Sequence, residues 1–206
     1  MATPNDNPTA QQHTLSLNED QFTTSTFEKV NAVTPIANLH WSLAHAATID
    51  ASMLQRLKAM GAGVAVHPAQ YLRAGTGKPT GAGPPLRTIL ESGVHAGAGS
   101  DGALVTVLDP WMIISYMVTG RNAAGKMIND GQQISRQDAL RLYTAENGWF
   151  THEEEKIGSI VPGQLGDLVV LSGDYFDPAK VPDESIRHLK SALTIVGGRV
   201  VYDNLH

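Results

Sequence analysis

The feature that most constrains this chain is a pattern repeated four times: a short apolar segment, then a histidine or an acid, then a stretch with apolar residues at helical spacing. Gln11 to Leu15 reads as a short strand around His13, and Asn18 caps a helix with Glu19 and Asp20 in its first turn. That helix carries Phe22, Thr26, Phe27 and Val30 on one face. Leu39 to Ala44 is the second strand, followed by His45, and Asp50 caps a helix with Met53, Leu54, Leu57 and Met60 that Gly61 ends. Ala62 to Val66 is the third, followed by His67. The fourth, Gly93 to Gly99, is small at almost every position and runs into Ser100-Asp101-Gly102, after a helix opened by Pro84-Pro85. Such repetition predicts a parallel sheet, in which each crossover lays the next strand beside the last.

Parallel strands place their carboxyl ends side by side, so His13, His45, His67 and Asp101 are expected along one edge. Imidazole with carboxylate is the donor set that Zn²⁺ or a similar ion takes. Taken singly, each histidine also fits an exposed loop position, and Asp101 fits an Asx-turn bonded to its own backbone. His40 and His95 fall at or within strands and read as packing residues or as supports behind the ligands.

With no cysteine among 206 residues, disulfides and thiolate metal sites are excluded, so a metal would rest on the eight histidines and on carboxylates. A net charge of -5 without a basic patch argues against nucleic acid, and no apolar run is long enough to span a bilayer. Residues 1–10 are polar and read as disordered or as the start of a fragment, without the regions of a signal peptide; a cytoplasmic protein is expected. Residues 11–150 hold the strand–helix units, including an apolar helix from Trp111 towards Gly120 and another begun by Ser135. Residues 151–206 are β-rich, with Asp167 to Leu171 as a strand and Leu193–Val196 and Arg199–Tyr202 joined by Gly197-Gly198 as a hairpin.

Several segments together resemble the C-terminal part of the amidohydrolase superfamily, specifically its amidohydrolase-3 group of metal-dependent hydrolases. They are Gln12-His13-Thr14, Thr34-Pro35-Ile36 through Leu43-Ala44-His45, Ala98-Gly99-Ser100-Asp101-Gly102, Val118 to Asn122, Leu142 to Gly148, and Gly158 to Leu171 with its Pro162-Gly163-Gln164-Leu165-Gly166-Asp167 core. The resemblance implies an α/β fold: the C-terminal half of a TIM-like (β/α)8 barrel, about four strand–helix units, plus part of a small accessory β-sandwich domain. It implies that His13, His45 and Asp101 bind Zn²⁺ or another divalent ion. Asp101 would act as general base and acid, and His45 as ligand or carbonyl polariser, in the hydrolysis of amide or cyclic amide C–N bonds. His67 has no standard ligand role there and is a substrate-binding candidate, as are Arg121 and the loop Tyr71–Gly83; Arg121 equally fits a salt bridge at a helix end.

The chain departs from the family in having no His-x-His pair and no bridging ligand of the fourth-strand type. A full barrel takes about 250 residues. The expected partners are therefore a small-molecule substrate and either a missing N-terminal half or a second copy, since half a barrel has open strand edges and inward faces, around Leu43, Val64 and Val66, with no cover. A different class of function fits the same departure: a non-catalytic half-barrel that dimerises or binds metal weakly.

Overall fold

A computed structural model of the chain describes residues 11–14, 16–68, 72, 83–102, 106 and 108–205. Strands β1 (Gln11–His13), β2 (Ser42–His45), β3 (Gly63–Val66) and β4 (His95–Ala98) form one parallel sheet in that order. Helices α1 (Leu17–Asn31), α2 (Ala51–Ala59) and α3 (Leu86–Ser92) stand between successive strands. The register pairs His13 with Ala44, His45 with Val66 and Val66 with Ala98, so the four carboxyl ends are level.

Local chemistry accounts for the helices and shifts two of the expected boundaries. The cap of α1 is Ser16 rather than Asn18: its hydroxyl accepts from the Glu19 N–H, while the Glu19 carboxylate accepts from the Ser16 N–H, a reciprocal capping box. Asp50 caps α2 as expected, accepting from the Met53 N–H at 2.8 Å. The second strand starts at Ser42, not Leu39, because the chain turns before it and His40 is left-handed (φ 51°), a conformation that ends extended structure. The buried side of α1 also differs from the expected stripe. Asp20, Thr23, Thr24 and Phe27 are buried, while Phe22 is 75% exposed, so a carboxyl and two hydroxyls outrank an aromatic for the inside.

Leu43, Val64 and Val66, expected on an uncovered face, are fully buried and share one core with Met53, Leu54, Leu57, Leu86 and Ile89. The register and the alternation of strand side chains place Ser42, Ala44, Gly63, Ala65, His95 and Gly97 on the other face, which is built of small residues apart from His95. A short 3-10 helix, Ala145–Thr151, comes down on that face. A Cβ on Gly63 would lie 2.7 Å from the Trp149 ring, and one on Gly97 would collide with Asn147 and Phe150. The indole of Trp149 is in turn stacked between His40 and His95, with ring centroids 4.1 and 4.2 Å away. His95 in β4 and His40 in the turn before β2 thus stack on an indole rather than reach the carboxyl edge.

Helix α4 (Pro110–Thr119) is apolar nearly all round, with Trp111, Ile113, Ile114, Tyr116 and Met117 buried, and helix α5 (Arg136–Tyr143) follows it. Beyond Thr151, β5 (Leu168–Leu171), β6 (Ser191–Val196) and β7 (Arg199–Asp203) make a three-stranded antiparallel sheet. The β6–β7 turn uses Gly197 and Gly198, both left-handed, as the hairpin signal predicts. Arg136 ties this part to the first, donating to the Val181 carbonyl and pairing with Asp183 at 2.6 Å, while the Tyr175 hydroxyl donates back to the Arg136 carbonyl at 2.7 Å. No described helix is long and apolar enough to cross a membrane.

Candidate functional site

The level carboxyl ends of the parallel sheet gather the imidazoles. His13 ends β1 and His45 ends β2; His67 follows β3 by one residue. The ladder continues just past these ends, with the Thr14 N–H donating to the Ala44 carbonyl at 3.2 Å and the Gly99 N–H to the Val66 carbonyl at 3.0 Å. At this edge the backbone departs from extended geometry: His45, Ala46 and Asp101 have φ of 72°, 47° and 51°. Non-glycine residues in the left-handed region cost free energy and gather where side chains must be aimed rather than packed.

Nδ1 of His13 and Nε2 of His45 face each other at 3.1 Å, so one of the two rings donates to the lone pair of the other. The rings meet edge to face with centroids 5.1 Å apart, and His67 lies 4.9 Å from His45 and 6.3 Å from His13. Burial pushes His45 below the ordinary imidazole range, helped by the neighbouring His13 and opposed by the Asp101 charge and a backbone hydrogen bond with His67. Burial likewise pushes His67 down to about 4, with His45 adding to the effect and Asp101 opposing it. Both rings are thereby favoured in the neutral form, which keeps a lone pair on one nitrogen, the form in which imidazole binds a metal. A Cβ on Gly99 would lie 3.1 Å from the Cδ2–Nε2 edge of His67, a tight contact, and the His67 Nδ1 is buried with no hydrogen-bond partner among the described residues. Asp101 acts electrostatically on both His45 and His67, and the loop that carries it is held by Tyr143, which hydrogen-bonds Ser100, and by the Ser100 hydroxyl, which accepts from the Gly102 N–H at 3.1 Å.

Two donors bound at 2.0–2.1 Å in adjacent positions of a tetrahedral or octahedral ion stand about 3.0–3.4 Å apart, which the His13–His45 spacing matches. The residues thus fit a divalent ion in donor chemistry and along one edge of its polyhedron, and they fall short in number. Among the described residues, no three His, Asp or Glu side chains are disposed to hold an ion together.

Arg121 is not brought to this cluster. It follows the far end of α4, its guanidinium donates to the Gly125 carbonyl at 2.9 Å, and its Nε lies 4.0 Å from the Glu184 carboxylate. The helix-end ion pair, one of its two expected readings, is the contact present. The loop Tyr71–Gly83, apart from Leu72 and Gly83, lies outside the described residues. Sequence reasoning passed over Asp20, Thr14 and Thr48, which form a hydrogen-bonded group beneath the site. Asp20 had an ordinary explanation as an acid in a helix's first turn, and no pattern in the sequence signals that it faces inwards.

A parallel sheet of strand–helix units with histidines and an acid at its carboxyl edge defines an α/β protein. The amidohydrolase family model matches residues 5–202, and the chain belongs to the amidohydrolase family. It is 27% identical over 177 residues to 5-methylthioadenosine/S-adenosylhomocysteine deaminase of Symbiobacterium thermophilum, covering 80% of this chain and 38% of that protein. It is 29% identical over 119 residues to N-substituted formamide deformylase of Arthrobacter pascens, covering 58% of this chain and 21% of that one. Among solved structures, an adenosine deaminase from Xanthomonas campestris with bound zinc shares the fold, with a TM-score of 0.68 at 17% identity, over 94% of this chain and 45% of that chain. The chain thus spans less than half the length of these relatives.

Proposed function

We propose that this chain is the C-terminal half-barrel of a metal-dependent hydrolase acting on amide or cyclic amide C–N bonds of a small molecule. The observation that carries the reading is the pair of imidazoles facing each other at 3.1 Å, with Asp101 acting on His45, at the carboxyl edge of the sheet. The names of two relatives, a deaminase and a formamide deformylase, describe the breaking of C–N bonds and support the reaction class. The exposed antiparallel sheet beyond Thr151 supports the reading of residues 151–206 as part of an accessory β-sandwich.

In this reading His13 and His45 hold Zn²⁺ or another divalent ion, with further donors from outside these 206 residues. When bound, the ion supplies a water acidified towards neutrality and polarises the scissile carbonyl. Asp101 accepts the proton of the attacking water and passes it to the leaving nitrogen as the C–N bond breaks, since an amine departs poorly unless protonated. His67 faces the substrate beside Asp101.

The shortfall to two well-placed donors favours one second reading, a half-barrel that binds metal weakly without turnover. Zinc stoichiometry and hydrolysis of N-formyl and cyclic amide substrates, measured on the chain joined to the part that supplies the remaining donors, separate the two. Turnover that survives Asp101→Asn, or zinc binding indifferent to His13→Ala and His45→Ala, would overturn the proposed site.

A further inference from the structure

The inner side of α1 carries Asp20, which is 0% exposed. One carboxylate oxygen accepts the Thr14 hydroxyl at 2.6 Å, and the other accepts the Thr48 hydroxyl at 3.0 Å. Thr14 is itself buried and directly follows His13. Thr48 lies three residues beyond His45, on the stretch where the backbone has just passed through two left-handed residues. A single carboxylate therefore bridges the two loops that carry the facing imidazoles.

Helix capping does not account for this group, because Ser16 and Glu19 already cap α1. Nor does charge pairing. Burial raises the Asp20 carboxyl above its ordinary range, the two threonine hydroxyls pull it back, and the charges acting on it, Glu19 and Asp50, are acids that raise it further. Burying a carboxyl among acids is costly, and a neutral residue could tie two hydroxyls for less. What the carboxylate provides is two equivalent acceptors a fixed distance apart, one for each loop.

We infer that Asp20 is a positioning residue that sets the spacing of His13 and His45 by clamping Thr14 and Thr48. This rests on the reading of the imidazole pair as the heart of the site. The left-handed backbone at His45 and Ala46 would relax towards commoner conformations if its loop were untied, and the His45 ring would swing away from His13. Two donors held at a spacing suited to one ion would then become two separate histidines.

The test uses the full chain and two readouts. Imidazole ¹⁵N NMR reports the contact between His13 Nδ1 and His45 Nε2 without any metal, and cobalt titration reports affinity. Asp20→Ala removes the carboxylate's hold on both threonines, leaving Thr14 its bonds to the Ala44 carbonyl. Asp20→Asn keeps an acceptor for Thr14 and presents an amide to the Thr48 oxygen. Thr48→Val cuts only the His45 side, and Thr48→Ser restores its hydroxyl. Asp20→Ala and Thr48→Val are expected to abolish the ring–ring signature and to weaken cobalt binding by about tenfold or more, with cooperative unfolding retained, while Asp20→Asn and Thr48→Ser stay near the parent chain. Either loss variant matching the parent in both readouts would overturn the inference. Should Asp20→Ala fail to fold, the Thr48 pair decides. Should the parent bind no cobalt, or bind it equally well as His45→Ala, the metal reading fails, and the NMR comparison still decides the clamp.

Discussion

Asp101 leaves β4 in a left-handed conformation, beside two imidazoles that its charge favours in their protonated form. As the proposed carrier of the proton, Asp101 replaced by Asn should lower the kcat/KM of the completed enzyme at least about 100-fold; turnover assays of the two forms check this. A second prediction concerns histidines and acid. Burial holds His95 below the ordinary imidazole range, against a hydrogen bond with the Glu146 backbone carbonyl and the charges of Glu146 and Glu154, with His40 pushing the same way as burial. His67 is held down to about 4. A group whose folded pKa is depressed binds more protons when unfolded, so its contribution is intact above the ordinary imidazole range and is lost as pH falls through and below it. The urea midpoint should therefore drop between pH 7.5 and pH 5, and His95→Phe should flatten part of that drop. A midpoint independent of pH over this range would show that neither ring is buried in solution.

Among the elements, the 3-10 helix Ala145–Thr151 is the one on which the sheet most depends. Trp149 rests on Gly63, and there is no space between them for a methyl group. Gly63→Ala should cost about 1–3 kcal/mol, as overpacking does, and should shift the Trp149 fluorescence as the indole is pushed outwards. Unchanged stability and emission would mean that the indole does not cover this face. Helix α1 offers a milder perturbation. Ser16→Ala removes one half of the capping box and should cost about 1 kcal/mol, read as a lowered denaturant midpoint with site chemistry intact.

At the scale of the molecule, β1 and β4 each pair on one side only among the described residues, and all three residues of β1 are exposed. The small-residue face is covered by Trp149, Phe150 and Asn147, so the drive to associate rests on the edges and on apolar groups of the second sheet such as Val200 and Val201. Unpaired edges and exposed apolar side chains are both routes to association. Sedimentation at micromolar concentration should show a species heavier than one chain. Four strands from each of two copies would supply the eight of a closed barrel. A monomer with cooperative unfolding would show that the edges are protected as they stand.

The parallel sheet, its strand order and the edge on which His13, His45 and His67 meet were all legible in the residues, because strand and helix periods and the rule for crossovers are local or nearly so. The hairpin at Gly197-Gly198 and the cap at Asp50 were legible for the same reason. The tertiary structure alone decided which face of α1 turns inwards, since the Thr14 hydroxyl just before the helix and the Thr48 hydroxyl from a distant loop reward burying Asp20 over Phe22. It alone set Arg121 beside Glu184 instead of the imidazoles, and it alone laid Trp149 over Gly63. In each case at least one deciding partner is tens of residues away, and sequence patterns carry the periodicity of a segment without the identity of what it will meet.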